Sequence, residues 1–287
     1  MEIGFSGNTW ADAVAALIAR TRHPSTLSAR CTPRTPCTCI PGKYNPRVWI
    51  VLATTLLTLA ADVTDRQTRV IALPDGRPLV IEITIGNVRI EGWDKSDVEI
   101  TVERRAPSAP QLARVPLSIA EVPPGVVMRA LQTGNTTDPA FRSDVTVRVP
   151  RSANIERLAV LEGRITIEGF SGTINGVIRR GPIDAKDISG TIRLETEIGP
   201  VTLTNATLSS GGLLRLRTFN GDIKLSLAAR PTDARILALA LNGSIKSDIP
   251  LFLKESWGPR WGEATLGKGA PLISVDVVTG TVEIKSP

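Results

Sequence analysis

Residues 163–203 read GRITIEGFS, GTINGVIRR, GPIDAKDIS, GTIRLETEI and GPVTL, four complete nine-residue units and the start of a fifth. Each unit opens on a glycine, at 163, 172, 181, 190 and 199. Two residues after each glycine stands a β-branched residue: Ile165, Ile174, Ile183, Ile192 and Val201. Four residues after come Ile167, Gly176, Ala185, Leu194 and Leu203, all apolar or small. The intervening position is polar: Thr166, Asn175, Asp184, Arg193 and Thr202. This is the in/out alternation of strands. Nine is odd, so in one continuous strand Ile165 and Ile174 would face opposite ways. Both face inward only if the chain turns between them. Each unit is therefore a strand of about five residues plus a turn, and glycine supplies the backbone angle the turn needs. A unit this short cannot bury a face alone and must stack on its neighbours.

The pattern extends less strictly in both directions. Asn220-Gly221-Asp222-Ile223-Lys224-Leu225, Asn242-Gly243-Ser244-Ile245-Lys246 and Thr279-Gly280-Thr281-Val282-Glu283-Ile284 repeat it downstream. Upstream, residues 86–91, 97–102 and 144–149 alternate in the same way, the last stopped by Pro150. No helix longer than a turn or two is expected after residue 62. Two all-β architectures fit. In a parallel β-helix, a solenoid-like stack of nine-residue units, residue i lies on residue i+18, so Ile165, Ile183 and Val201 form one inward ladder and Ile174 and Ile192 another. The alternative is an antiparallel β-sandwich or meander. The constant phase of successive units favours the solenoid. The proline-rich stretch 105–143 and the stretch 254–271 read as irregular excursions near the ends, because exposed sheet edges need covering.

The first sixty residues are of another kind. Residues 48–61 form an uncharged, mostly apolar run preceded by Lys43 and Arg47 and closed by small residues. Basic flank, short apolar core and small-residue end are the layout of a secretory signal. The run is shorter than the roughly 18–20 residues of a spanning helix. Residues 1–42 are expected to be a non-native or disordered extension, 43–61 the signal peptide, and 62–287 a single β-repeat domain. That organisation implies export to the periplasm, the outer membrane or the exterior, with membrane contact only through the signal segment if it is uncleaved. Cys31, Cys37, Cys39 and the single histidine, His23, lie among prolines in the extension, with no element to hold metal geometry. Neither a metal nor a cofactor is expected.

Charge divides the same way. The chain holds 34 Lys/Arg and 28 Asp/Glu, and residues 1–61 carry six and two of them, which leaves residues 62–287 at only +2. Mixed signs throughout argue against a nucleic-acid footprint.

The strings at 86–93 (GNVRIEGW), 220–225 (NGDIKL) and 279–285 (TGTVEIK) resemble the bacterial putative-adhesin β-repeat family, over about residues 80–287. The resemblance implies an exported, β-solenoid-like domain without established catalytic residues, and a structural or binding role in the cell envelope.

After residue 62 there is neither His nor Cys. That removes Ser-His-Asp and Cys-His nucleophiles and common zinc sites. Carboxylate chemistry remains, and Asp184 with Asp187, or Glu195 with Glu197, would have to carry an alternative reading as a carbohydrate-active lyase or hydrolase. Rows eighteen apart place Glu168 over Lys186 as a surface ion pair. Trp257, Arg260 and Trp261 are the candidate contact residues, since Trp and Arg most often anchor interfaces; the competing reading has the tryptophans capping the apolar end. Trp93 reads as packed at a turn. The expected partner is an envelope protein or polysaccharide, with self-association into a scaffold as a further alternative.

Overall fold

The computed structural model describes residues 62–74, 76–123, 125–134, 137–254 and 259–287. The extension with its cysteines and His23, the signal segment and Trp257 fall outside the described residues. Alternating sequence becomes strand almost everywhere else. The N-terminal strands are β1 (Val63–Ala72), β2 (Pro78–Trp93), β3 (Asp97–Ala106), β4 (Leu117–Val122), β5 (Gly125–Ala130) and β6 (Arg142–Pro150). The repeat supplies β7 (Asn154–Glu168), β8 (Thr173–Arg180), β9 (Ile183–Lys186), β10 (Thr191–Ile198), β11 (Val201–Ala206), β12 (Leu213–Asn220) and β13 (Ile223–Leu227). The chain ends with β14 (Ala234–Ser247), β15 (Phe252–Lys254), β16 (Arg260–Leu266) and β17 (Leu272–Lys285). The one helix among the described residues is a 3-10 segment, Ala109–Arg114.

Parallel pairing at a separation of eighteen is present. Ile165 partners Ile183, Ile183 partners Val201, and Ile174 partners Ile192. All five side chains are at most 2% exposed, which is worth about 1.5–3 kcal/mol for each large one. The whole, however, is neither the expected β-helix or solenoid stack nor an antiparallel sandwich or meander. It is a closed eight-stranded parallel β-barrel with extra strands. The ring runs β7–β8–β10–β12–β17–β13–β11–β9 and returns to β7, every pairing in it parallel.

Two long strands close it. The first half of β7 pairs with β8 and its second half with β9. The first half of β17 pairs with β12 and its second half with β13. Each thus passes from one wall to the other without a break in strand, so the walls share hydrogen-bonded edges instead of forming separate rungs. The last strand also does not add to the end of the sheet. It inserts between β12/β13 on one side and β14 on the other, an order that successive stacking cannot produce.

The glycine period has a steric cause at the corner. Gly163, Gly181, Gly199 and Gly221 stand in a column with φ of +149°, +137°, +149° and +155°. A Cβ on Gly181 would lie 1.8 Å from the Gly163 carbonyl oxygen, and one on Gly199 would lie 2.2 Å from that of Gly181. Backbone fills the space a side chain needs. Beside this column, the buried hydroxyls of Thr196 and Thr218 donate to the Gly181 and Gly199 carbonyls at 3.1 and 2.9 Å.

The excursions are structural. Residues 105–143 hold the 3-10 helix and the β4–β5 hairpin, with Val115 and Phe141 buried against the core. β5 pairs parallel to β2, and β3 pairs antiparallel to both β6 and β1. At the other end β16 and then β15 add antiparallel to β14.

Candidate functional site

β14 contains Ile236-Leu237-Ala238-Leu239-Ala240-Leu241, and simple alternation would place the leucines inside. The structure does the reverse: Ala234, Ile236, Ala238 and Ala240 are 0% exposed, while Leu237 and Leu239 are half-buried and Leu241 is 41% exposed. The corner glycine sets the phase. In every strand entering the corner, the residues three and five before the glycine point inward: Ile178 and Gly176 before Gly181, Leu194 and Thr196 before Gly199, Leu216 and Thr218 before Gly221, and Val275 and Val277 before Gly280. Counted from Gly243, that rule turns Ala238 and Ala240 in and the three leucines out. This periodicity was readable in the sequence and is the signal that would have found the site.

The outward leucines meet other apolar groups. Leu239 is the register partner of Trp261, and Leu237 and Phe252 are both partners of Glu263 from opposite sides. Phe219 falls between the pairs Thr218–Val277 and Asn220–Thr279, level with Val278, and Leu241 lies level with Val278 on the other flank. Phe252 is 73% and Phe219 64% exposed. The outer face of β12, β17, β14 and β16, extended by β15, thus carries apolar and aromatic side chains interrupted by Glu263 between Leu237 and Phe252 and by Ser274 and Asp276 beside Leu237 and Leu239.

Beside it charges of both signs meet, with Arg217 in register between Glu195 and Asp276. Arg193 and Arg215 are direct partners on neighbouring parallel strands, and Arg217 follows two residues on. Like charges directly opposite are destabilising. Among the described residues no carboxylate forms an ion pair with any of the three; Arg193 reaches only the Asn175 side-chain oxygen, at 3.3 Å. The nearby acid Asp276 accepts a hydrogen bond from the Ser274 hydroxyl at 3.4 Å. The N-terminal half is different. There Arg89 binds Glu91 and Glu168 at 2.5 and 2.8 Å, and Arg148 binds Glu91 and Glu99 at 3.1 and 3.0 Å. The Arg89 guanidinium, with Arg148 behind it, holds the Glu91 carboxyl below its ordinary value.

Of the contact residues expected from sequence, Arg260 is exposed at the start of β16 and Trp261 is half-buried on the outer face. Trp261 thus lies against Leu239 instead of capping the core's end. Trp93 sits at a turn as expected, its indole N–H donating to the Asp97 carbonyl at 2.8 Å with the Lys95 ammonium over its ring.

The acids considered for catalysis have other partners. Asp184 is bound by Arg164 and Asp187 by the Asn205 amide. Glu197 pairs with Arg179 at 3.0 Å, and Glu195 is exposed. Glu168 and Lys186 are in register, but Glu168 pairs with Arg89 and Lys186 lies 4.0 Å from Asp187, so the expected ion pair between them does not form. A shallow depression over β2, β3 and β6 contains Glu103 and Asp144. Glu103 takes Arg105 at 2.6 Å, and Asp144 takes Arg142 at 2.9 Å and the Asn87 backbone N–H at 2.8 Å. A wider cleft of about 470 Å³ is lined by Arg230, Asp233 and Lys268 among others, with the Asp233 carboxylate accepting the Lys268 backbone N–H at 2.9 Å. Among the described residues no group of three or more His, Cys, Asp or Glu side chains is placed to hold a metal ion, and no helix is long and apolar enough to cross a membrane.

No family model matches this chain, and no curated protein matches it. Among solved structures it is similar to a putative cell adhesion protein from Clostridium sporogenes, at 11% identity over 78% of this chain and 100% of that one, with a TM-score of 0.46. It is also similar to a putative adhesin from Bacteroides fragilis, at 13% identity over 78% and 97% of the two chains, with a TM-score of 0.39. A putative lipid binding protein from Parabacteroides distasonis aligns at 10% identity over 77% and 97%, with a TM-score of 0.25.

Proposed function

We propose that residues 62–287 form a non-catalytic binding module of the bacterial cell envelope, exported by the segment 43–61. The module acts through the outer face of β12, β17, β14 and β16, with Trp261 among its contacts and Arg260 and Trp257 its neighbours in sequence. The observation that carries this reading is the outward turn of Leu237, Leu239 and Leu241, with Leu239 in register with Trp261. A strand that turns three leucines outward while burying alanines leaves apolar area outside the core, and exposed apolar groups gathered on one face mark contact surfaces. The carbohydrate-active reading through Asp184 and Asp187 is disfavoured by their engagement with Arg164 and Asn205. Assembly through the edge strand β1 is disfavoured by its core-side residues. Gln67 and Arg69 stand opposite the buried Val102 and Ile100, and polar or charged groups pointing inward at a sheet edge oppose edge-to-edge pairing.

Cosedimentation of the purified full chain with an isolated envelope fraction tests the reading. Wild type is retained, and the double variant Leu239→Ser/Trp261→Ala is lost to the supernatant at unchanged thermal stability. Equal retention of the two would remove this face as the binding surface.

A further inference from the structure

We infer that the cleft at the ends of β11, β13 and β16 binds a carboxylate-bearing sugar, a second site beyond the outer face. None of its lining residues lies on β12, β17, β14 or β16. The cleft follows from a change in the turns at the strand ends away from the glycine corner. After β7 and β9 the chain turns in four residues, 169–172 and 187–190. Phe170 and Ile188 are buried in those turns. The next residue of their column is Ala206: the Ser189 N–H donates to the Phe170 carbonyl and the Thr207 N–H to the Ile188 carbonyl, both at 2.9 Å. Ala206 is buried too, but is far smaller than the two residues it follows. The turns also lengthen here, to six residues at 207–212 and at 228–233, and five residues, 267–271, lead from β16 into β17. Small side chains under longer turns leave a cleft of about 470 Å³, within the range of about 300–1,000 Å³ found for small-molecule sites.

The charged groups of the lining set the anion. Arg230 and Lys268 stand against one acid, Asp233, so the lining carries a charge of +1. Neither cation forms an ion pair among the described residues. The Asp233 carboxylate is already engaged, since its Oδ1 accepts the Lys268 backbone N–H at 2.9 Å and ties the 267–271 turn to the 228–233 turn. Arginine's planar fork meets a carboxylate or a phosphate through two parallel bonds. A single surplus charge balances a carboxylate, whereas a phosphate monoester brings about −1.5 to −2 and would be left partly uncompensated.

The rest of the wall selects a sugar among carboxylates. Thr207, Ser210 and Thr232 contribute three hydroxyls. None of the three hydroxyls has a hydrogen-bond partner among the described residues, so each can exchange water for a ligand hydroxyl. Leu208, Ala228, Ala229 and Pro271 supply short apolar surface for the C–H face of a pyranose ring. An acyl chain would have to cross those hydroxyls and desolvate them without replacement. A peptide would find no strand edge to extend: the lining is turn backbone, and its one strand residue, Ala206, lies on β11, which is paired on both sides.

The test is a saturation-transfer NMR titration of the full chain with methyl galactopyranosiduronate and with its neutral counterpart, methyl galactopyranoside. Two double variants each remove two positive charges. Arg230→Gln/Lys268→Gln lies in the cleft; Lys224→Gln/Lys246→Gln flanks Glu283 in register, outside the lining. Wild type binds the uronoside at least about tenfold more tightly than the neutral sugar. The cleft variant loses about tenfold or more, the worth of one charge-assisted hydrogen bond, and the lysine variant loses less than about threefold, because distant exposed charges are screened. Equal binding of the neutral sugar overturns the carboxylate. Displacement of the uronoside by inorganic phosphate or acetate at equal concentration overturns the sugar. Equal losses in the two variants overturn the site, because overall charge is then responsible. Competition by polygalacturonate at matched sugar concentration places the unit in a polymer, and its absence places it on a free sugar acid; the ligand class stands in both cases. One sugar residue is too weak a hold to keep the chain on a sedimented envelope fraction, so that assay still reads the outer face, and the two readings fail separately.

Discussion

Replacing Gly199 by alanine tests the corner that organises the barrel. Gly199 adopts φ +149°, and a Cβ there would sit 2.2 Å from the Gly181 carbonyl oxygen and 2.5 Å from its carbon. Real Cβ atoms do not approach backbone so closely, so the two strands must separate. Separation lengthens the hydrogen bond from the Gly181 N–H to the Ile198 carbonyl, now 2.8 Å. The backbone conformation costs an L-residue about 1–3 kcal/mol, and the forced displacement of packed neighbours about 1–3 kcal/mol more. The sum of about 2–6 kcal/mol is a large part of the 5–15 kcal/mol that holds a typical domain folded. Gly211→Ala is the internal control. Gly211 also has positive φ, +75°, but nothing lies within 4 Å of its would-be Cβ, so only the backbone cost of about 1–2 kcal/mol applies. Urea unfolding of the two variants, followed by far-UV circular dichroism, separates the contributions. If Gly199→Ala were no less stable than Gly211→Ala, the close approach would not be what conserves space at the corner, and the account of the nine-residue period would be wrong.

Three further outcomes follow from the same coordinates. Leu216→Ala, at a site 0% exposed, lowers stability by about 2–5 kcal/mol, whereas Leu239→Ala, on the half-buried outer face, costs under about 1 kcal/mol by the same urea measurement. Thr218→Val removes the hydroxyl that donates to the Gly199 carbonyl at 2.9 Å, and shifts the urea midpoint by about 1 kcal/mol with the slope unchanged. Acid weakens the fold. Glu91 is held below its ordinary value of 4.5 by Arg89 and then Arg148, and Asp65 below 3.8 by Arg104. A depressed carboxyl contributes stability that is full above the unfolded value and is lost as pH falls through the folded one. The urea midpoint therefore declines below pH 4.5, and Glu91→Gln flattens that decline; an identical pH profile for the variant would rule the Glu91 network out as a contributor.

The repeat made much of this protein legible before any coordinates. Alternation gave away the strands and their buried faces because a strand's side chains change sides at every residue, and the odd spacing of the glycines forced a turn in each unit. Even the outward leucines of β14 were encoded, in their distance from Gly243, and were hidden only because size is a weaker guide to direction than phase. Closure was another matter. Nothing in the string Leu272–Lys285 says that the last strand leaves its place in sequence order and lies between β12/β13 and β14, or that β7 and β17 run unbroken from wall to wall and join the ring. A local pattern specifies which face of a strand is apolar. It does not specify which of several equally apolar edges that strand will join, and that choice is made by the shape of the assembled core. The adjacent arginines have the same origin: Arg193 and Arg215 stand twenty-two residues apart in the chain, and only the parallel register of β10 with β12 makes them neighbours.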